Sequence, residues 1–211
     1  MEQGKPKQGA LIQTFGGAKP GTWGVEPSEG VAAAAPFLVP GKALDLGCGD
    51  GRNTLFLAHK GLHVTAVDIV PEAITNLNRY ATRANLQAQI EGVVADIEGY
   101  EIDGPFEDIV SVFTLHFLPA DAFPVVLDRI TAATSIGGIN VIEDFTRSGP
   151  LYHPGVQGHF LQSGELRRLY EDRGWQVLYY DEGTATTRAT DAQGNRIKQG
   201  SATIVAKRRE S

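Results

Sequence analysis

Three glycines alternate with other residues in Asp45-Leu46-Gly47-Cys48-Gly49-Asp50-Gly51, and an acid opens the run. Glycine tolerates the positive φ of a tight turn and lets a ligand approach backbone that a Cβ would shield. The run lies between a short apolar stretch, Ala43-Leu44-Asp45-Leu46, and a helix-like stretch over 51–60. A helix start leaves N–H groups free to hold a carboxylate or phosphate. Asp68, 23 positions after Asp45, closes the β-branched stretch LHVTAVD, and Asp96 closes another apolar one. A carboxylate only accepts hydrogen bonds, so Asp68 suits a ribose diol. Ile69 beside it is placed to pack on a base. A tight turn alone would explain the glycines but not the two acids. The chemistry implied is the holding of a nucleoside cofactor by backbone and carboxylates, and no metal-ligand spacing is visible.

The spacing separates cofactor classes. A nicotinamide fingerprint is G-x-G-x-x-G, and the sixth position counted from Gly47 is Arg52. No G-K-[ST] follows a glycine loop, which excludes a P-loop. The form acid-x-G-x-G-x-G resembles motif I of the class I S-adenosylmethionine-dependent methyltransferases. That resemblance implies S-adenosylmethionine as cofactor, with Asp45, Gly47, Gly49 and Gly51 beside its methionine part and Asp96 near the adenine amino group. Arg52 and Asn53 either cap or contact the cofactor, which is the reading taken for Asn53, or simply face solvent. Trp23 and Gly24 resemble an aromatic entry segment of related small-molecule methyltransferases.

LDLGCGDGRNTLFLA at 44–58, VTAVDI at 64–69, GELRRLYE at 164–171 and TDAQGNRIK at 190–198 together resemble the tellurite-resistance methyltransferases. The family implies methyl transfer to small oxyanions of tellurium and selenium, held by basic residues near the last hairpin. Arg196 matches one of these. Where some members carry His and Arg before the TD pair, this chain has Arg188 and Ala189.

Guanidinium groups suit oxyanions, so Arg188 and Arg196 are candidates for the acceptor, against the plainer reading of solvated hairpin charges. His116 follows the apolar run 106–115 and either handles a substrate proton or is a histidine satisfied behind the site. Tyr152, His153 and His159 lie in a loop that suits a lid, although loop residues of these types are more often simply that. Cys48 reads as a small buried filler.

The elements that must position these residues alternate. Expected helices cover 28–37 with Ser28 as cap, 51–60, 71–84, 119–134 and 163–173 with Ser163 as cap. Expected strands cover 43–46, 62–68, 88–94, 106–115, 139–143 after a Gly137-Gly138 break, 175–180 and 202–206. This implies an α/β fold: a doubly wound, mostly parallel seven-stranded, Rossmann-like sheet with an antiparallel C-terminal strand. Ligands then bind at the carboxyl edge of the strands. Residues 1–20 read as a flexible arm and 21–211 as one domain.

The 211 residues carry a formal charge of -6 with 8% aromatics. Together with the absence of an NPPY-like motif, this argues against nucleic acid as a partner. One cysteine excludes an internal disulfide framework, no run approaches a membrane span, and the N-terminus lacks a signal-peptide core. A cytoplasmic enzyme with a small-molecule substrate is expected, as a monomer or homodimer. The acceptor is a tellurite or selenite oxyanion, or else a thiol, amine or carboxylate; a cofactor-binding module without catalysis is the third reading.

Overall fold

The computed structural model describes residues 26–210; the expected arm at 1–20 and Trp23 lie outside them. Twelve helices and strands follow in chain order, α1 (Glu29–Ala34), β1 (Lys42–Leu46), α2 (Arg52–His59), β2 (His63–Asp68), α3 (Pro71–Arg83), β3 (Ile90–Val94), β4 (Phe106–Val112), α4 (Ala122–Ala133), β5 (Thr134–Phe145), α5 (Glu165–Glu171), β6 (Gln176–Thr190) and β7 (Arg196–Lys207), with 3-10 turns at Ala35–Phe37 and Leu115–Phe117. The sheet order is β3-β2-β1-β4-β5-β7-β6. β1 pairs in parallel with both β2 and β4. The chain therefore winds outward through β2 and β3 and returns to the other side of β1. That reversal opens a crevice between the carboxyl ends of β1 and β4, where open sheets of this class take ligands.

Alternation along the central strands divides the core. Leu44, Leu46 and Ile109 pack with Phe123, Val126, Leu127 and Ile130, an i, i+3, i+4, i+7 stripe on α4, and with Leu166 and Tyr170 of α5. Ala43 and Val110 face the opposite side, against Val31 of α1 and Leu57 of α2. Each of these fully buried leucines and isoleucines contributes about 1.5–3 kcal/mol of burial. Helices thus cover both faces, as a central parallel sheet requires.

Several boundaries differ from the expectation. β4 ends at Val112 rather than 115, because Phe113 turns the chain with φ 50. Gly137-Gly138 does not interrupt β5, which starts at Thr134. There the pairing shifts from Phe106↔Thr134 to Asp108↔Ile139, a bulge that glycine accommodates. A Cβ on Gly138 would lie 2.3 Å from the Glu107 carbonyl oxygen. α4 begins at Ala122, so Pro124 falls in its first turn, where a missing N–H costs nothing. Ser163 does not cap α5: Gly164 holds that position, and the Ser163 hydroxyl donates to Glu182 Oε2 at 2.7 Å. Ser28 does cap α1, accepting from the Val31 N–H. The last two strands are longer than expected. β7 is antiparallel to both neighbours and sits inside the sheet, which leaves β6 at the edge.

No helix among the described residues is long and apolar enough to cross a membrane.

Candidate active site

The glycine run follows β1 and enters the crevice. Gly47 has φ 74, and a Cβ there would stand 2.1 Å from Thr114 Oγ1, on the segment leaving β4. Only glycine lets the two strand ends approach this closely. Gly51 caps α2 with φ 93, and a Cβ would lie 2.3 Å from Leu77 Cδ1 of α3. The N–H groups of Gly47 and Cys48 both donate to the Val67 carbonyl, at 2.8 and 3.0 Å, which ties the loop to β2. Cys48 is buried beside Ala66, Ile74 and Leu77, the filler expected, and burial raises its thiol pKa.

Asp68 straps the loop. Its Oδ2 accepts the Gly49 N–H at 2.8 Å and its Oδ1 the Val70 N–H at 2.9 Å. A carboxylate offers about four acceptor positions, so about two remain for a diol. Burial raises its pKa, and the two backbone hydrogen bonds oppose that rise. Asp45 lies below the loop, 1% exposed. Its Oδ2 accepts the Thr54 hydroxyl at 2.6 Å, while its Oδ1 is buried with no partner among the described residues. Desolvation pushes its pKa to about 6, against the Thr54 hydrogen bond. A buried acceptor without a donor costs about 1–3 kcal/mol, which an N–H of a bound ligand would relieve. The orphaned Asp45 oxygen, the glycine-opened backbone and the open positions on Asp68 fit the S-adenosylmethionine expected from the sequence.

The remaining predicted cofactor residues are placed unevenly. Ile69 follows Asp68 and is half-buried. Asp96 stands two residues beyond β3, exposed, with its Oδ1 accepting the Glu98 N–H at 3.0 Å. The Asn53 side-chain oxygen is committed elsewhere: it accepts the Ser28 N–H at 2.9 Å and so holds the entry to α1. Glu143, near the end of β5 and 4% exposed, is a further residue of this edge that no sequence motif marks. It accepts the Ser28 hydroxyl and, at 2.8 Å, the Gly30 N–H, pinning α1 over the carboxyl edge. Burial raises its pKa, with Arg52 nearby among the opposing influences.

His116 sits in the 3-10 turn after β4. Its Nδ1 lies 2.6 Å from Asp144 Oδ1, and its backbone N–H donates to Asp144 Oδ2 at 2.8 Å. The Phe145 N–H also donates to Oδ1 at 2.8 Å. Three phenylalanine rings surround the imidazole, with centroids at 4.0 Å (Phe117), 4.6 Å (Phe145) and 6.0 Å (Phe160). Asp144 likewise lies outside the motifs; its signal is the acid pair Glu143-Asp144 closing an apolar strand. The 145–161 loop adjoins this group, with the His159 N–H donating to the His116 carbonyl. His159 itself stacks on Phe123 and contacts Glu165, and His153 is exposed, so neither joins His116 through its side chain.

Arg188 and Arg196 lie on the β6–β7 hairpin. Ser201 of β7 pairs with Phe145 at the end of β5. The five residues back to Arg196 therefore carry the hairpin about 17 Å past that end, on the carboxyl side. Arg188 is half-buried and Arg196 exposed, opposite Thr190. Along the sheet, β1 and β6 are four strand spacings apart, about 19 Å. The arginines thus share an edge with the glycine loop without adjoining it through strand pairing. Among the described residues no cluster of three or more His, Cys, Asp or Glu could hold a metal ion.

The comparisons with known proteins agree with this geometry. The family model for tellurite resistance protein TehB matches residues 25–205. A Haemophilus influenzae protein named as a probable S-adenosyl-L-methionine-dependent methyltransferase TehB is 33% identical over 179 residues, covering 85% of this chain and 61% of that protein. Hemagglutinin 1 of Eikenella corrodens is 33% identical over 180 residues, covering 84% of this chain and 58% of that protein. The crystal structure of the Haemophilus TehB superposes with a TM-score of 0.76, covering 85% of this chain and 61% of its own. The chain thus spans about three fifths of the length of these relatives. The family match, the 33% identity and the structural likeness lead to one conclusion: the chain belongs to the TehB family and has the fold of the S-adenosylmethionine-dependent methyltransferases.

Proposed function

We propose that this chain transfers a methyl group from S-adenosylmethionine to a small soft nucleophile, in the first instance an oxyanion of tellurium or selenium. When bound, the cofactor supplies a methyl group on a positively charged sulfur, already activated for displacement. The residues then have to bind, orient and exclude water, and such alignment is worth on the order of 7–11 kcal/mol. Gly47, Gly49 and Gly51 would hold the methionine part, with Asp45 Oδ1 accepting from an N–H there. Asp68 would accept the ribose hydroxyls, with Ile69 and Asp96 at the adenine. Trp23 would join them from the aromatic entry segment that the resemblance implies.

The observation that carries this reading is the glycine cradle at the β1–β4 crevice, strapped by Asp68. For the acceptor, support comes from the family and from the two arginines overhanging the same edge. Their guanidinium forks suit the oxygens of a pyramidal oxyanion, whose chalcogen lone pair is the nucleophile. The test is transfer of a trideuteromethyl label from the cofactor into a selenium or tellurium product, read by mass spectrometry. Label in that product supports the reading. Cofactor turnover with thiols alone would remove the oxyanion from it.

A further inference from the structure

An oxyanion acceptor leaves one built feature without a task. The chalcogen lone pair of tellurite or selenite attacks without giving up a proton, yet the edge of β4 carries an imidazole held by a carboxylate. Asp144 receives three N–H donors: the His116 ring, the His116 backbone and the Phe145 backbone. As an acceptor-only group it fixes the proton on Nδ1. Nε2 then carries the lone pair, since the ring's hydrogen bond among the described residues is made at Nδ1. Thr114, two residues earlier, touches the glycine loop, so the turn that carries His116 leaves β4 at the same strand end as the cofactor cradle.

The ring's surroundings narrow the acceptor further. Phe117, Phe145 and Phe160 present apolar faces, and Phe113 stacks on Phe145 at 4.8 Å. Such walls offer an oxyanion's oxygens no donors, whereas divalent sulfur contacts aromatic rings favourably. We propose that His116 is the proton acceptor and Asp144 its positioning residue in methylation of a second acceptor class, a thiol or selenol presented as R–SH or R–SeH.

In this step the S–H bond breaks and its proton passes to His116 Nε2. The sulfur pair forms the new S–CH3 bond, while the pair of the broken donor bond stays on the donor sulfur. The imidazolium rests against Asp144 and returns its proton to water after product leaves. The inference depends on the methyl-transfer reading and adds an acceptor to it.

The experiment compares an alkyl thiol, 2-mercaptoethanol, with thiophenol, which is ionised at the assay pH and needs no base. His116→Gln and Asp144→Asn are assayed with both in the full chain, and S-adenosylhomocysteine affinity is measured by calorimetry. The expected result is a loss of about 100-fold or more with 2-mercaptoethanol and about threefold or less with thiophenol, at unchanged S-adenosylhomocysteine affinity. Equal losses with both thiols, or undiminished rates with 2-mercaptoethanol, would overturn it. A wild type that methylates selenite and neither thiol overturns this inference alone. A wild type that forms no S-adenosylhomocysteine with any acceptor overturns the methyl-transfer reading beneath it.

Discussion

Asp68 has two tasks, and replacing it with Asn separates them. Its carboxylate fastens the glycine loop through Gly49 and the start of α3 through Val70, at 2.8 and 2.9 Å. The amide keeps one acceptor oxygen and turns an NH2 toward whichever backbone N–H it cannot serve. Hydrogen bonds to charged groups are worth about 1.5–3 kcal/mol each. Loss of one strap and of the charged face toward a diol should weaken S-adenosylhomocysteine binding by about 2–3 kcal/mol, or about 30- to 150-fold. Calorimetric titration of S-adenosylhomocysteine and of its analogue lacking the 2′- and 3′-hydroxyls reads the two contributions apart. The wild type should distinguish the ligands strongly and the variant weakly. The pH dependence has a definite sign. Burial holds the carboxyl pKa above its ordinary value, so wild-type affinity for the diol falls as pH drops through that raised value, and the Asn variant loses this dependence. Affinity within about twofold of wild type would refute the role assigned to Asp68. An equal loss for the analogue lacking both hydroxyls would refute the diol contact.

Other perturbations test the frame around that contact. Gly51→Ala forces a Cβ to 2.3 Å from Leu77 Cδ1 at φ 93, and should cost about 2–4 kcal/mol, seen as a Tm lower by about 5–15 °C in thermal unfolding. Asp108, fully buried at the opposite edge, is held by desolvation at a pKa of about 7, above the ordinary 3.8. A raised carboxyl pKa leaves the fold favoured while the group is protonated and penalised as pH rises from about 4 through 7, by up to about 4 kcal/mol. Asp108→Asn should therefore gain Tm over wild type progressively between pH 4.5 and 8; a constant difference would contradict the assignment. Arg196→Ala should raise KM for selenite or tellurite about five- to tenfold and leave S-adenosylhomocysteine affinity unchanged.

The glycine loop, its strands and Asp68 were legible because each rests on local chemistry: acid, turn and strand end lie within a few residues of one another. The misplaced boundaries have tertiary causes. Phe113 looks like one more strand residue, but the crevice requires the chain to turn there. Gly137-Gly138 looks like a break, yet Gly138 is needed where the Glu107 carbonyl comes close. The His116–Asp144 pair spans 28 positions and exists because β4 and β5 pair in the register Val112↔Glu143. Asn53 is similarly joined through its side-chain oxygen to the N–H of Ser28, 25 positions earlier. Neither pairing has a local trace. The hairpin arginines were located by resemblance, and their overhang became visible only with the lengths of β6 and β7.

Methyl transfer is tested by S-adenosylhomocysteine formation by the full chain, supplied with S-adenosylmethionine and, separately, selenite, tellurite and small thiols. Product should form only when an acceptor is present and fall sharply in Asp68→Asn at subsaturating cofactor. Tight cofactor binding with no S-adenosylhomocysteine from any acceptor would contradict methyl transfer and leave a binding module in its place.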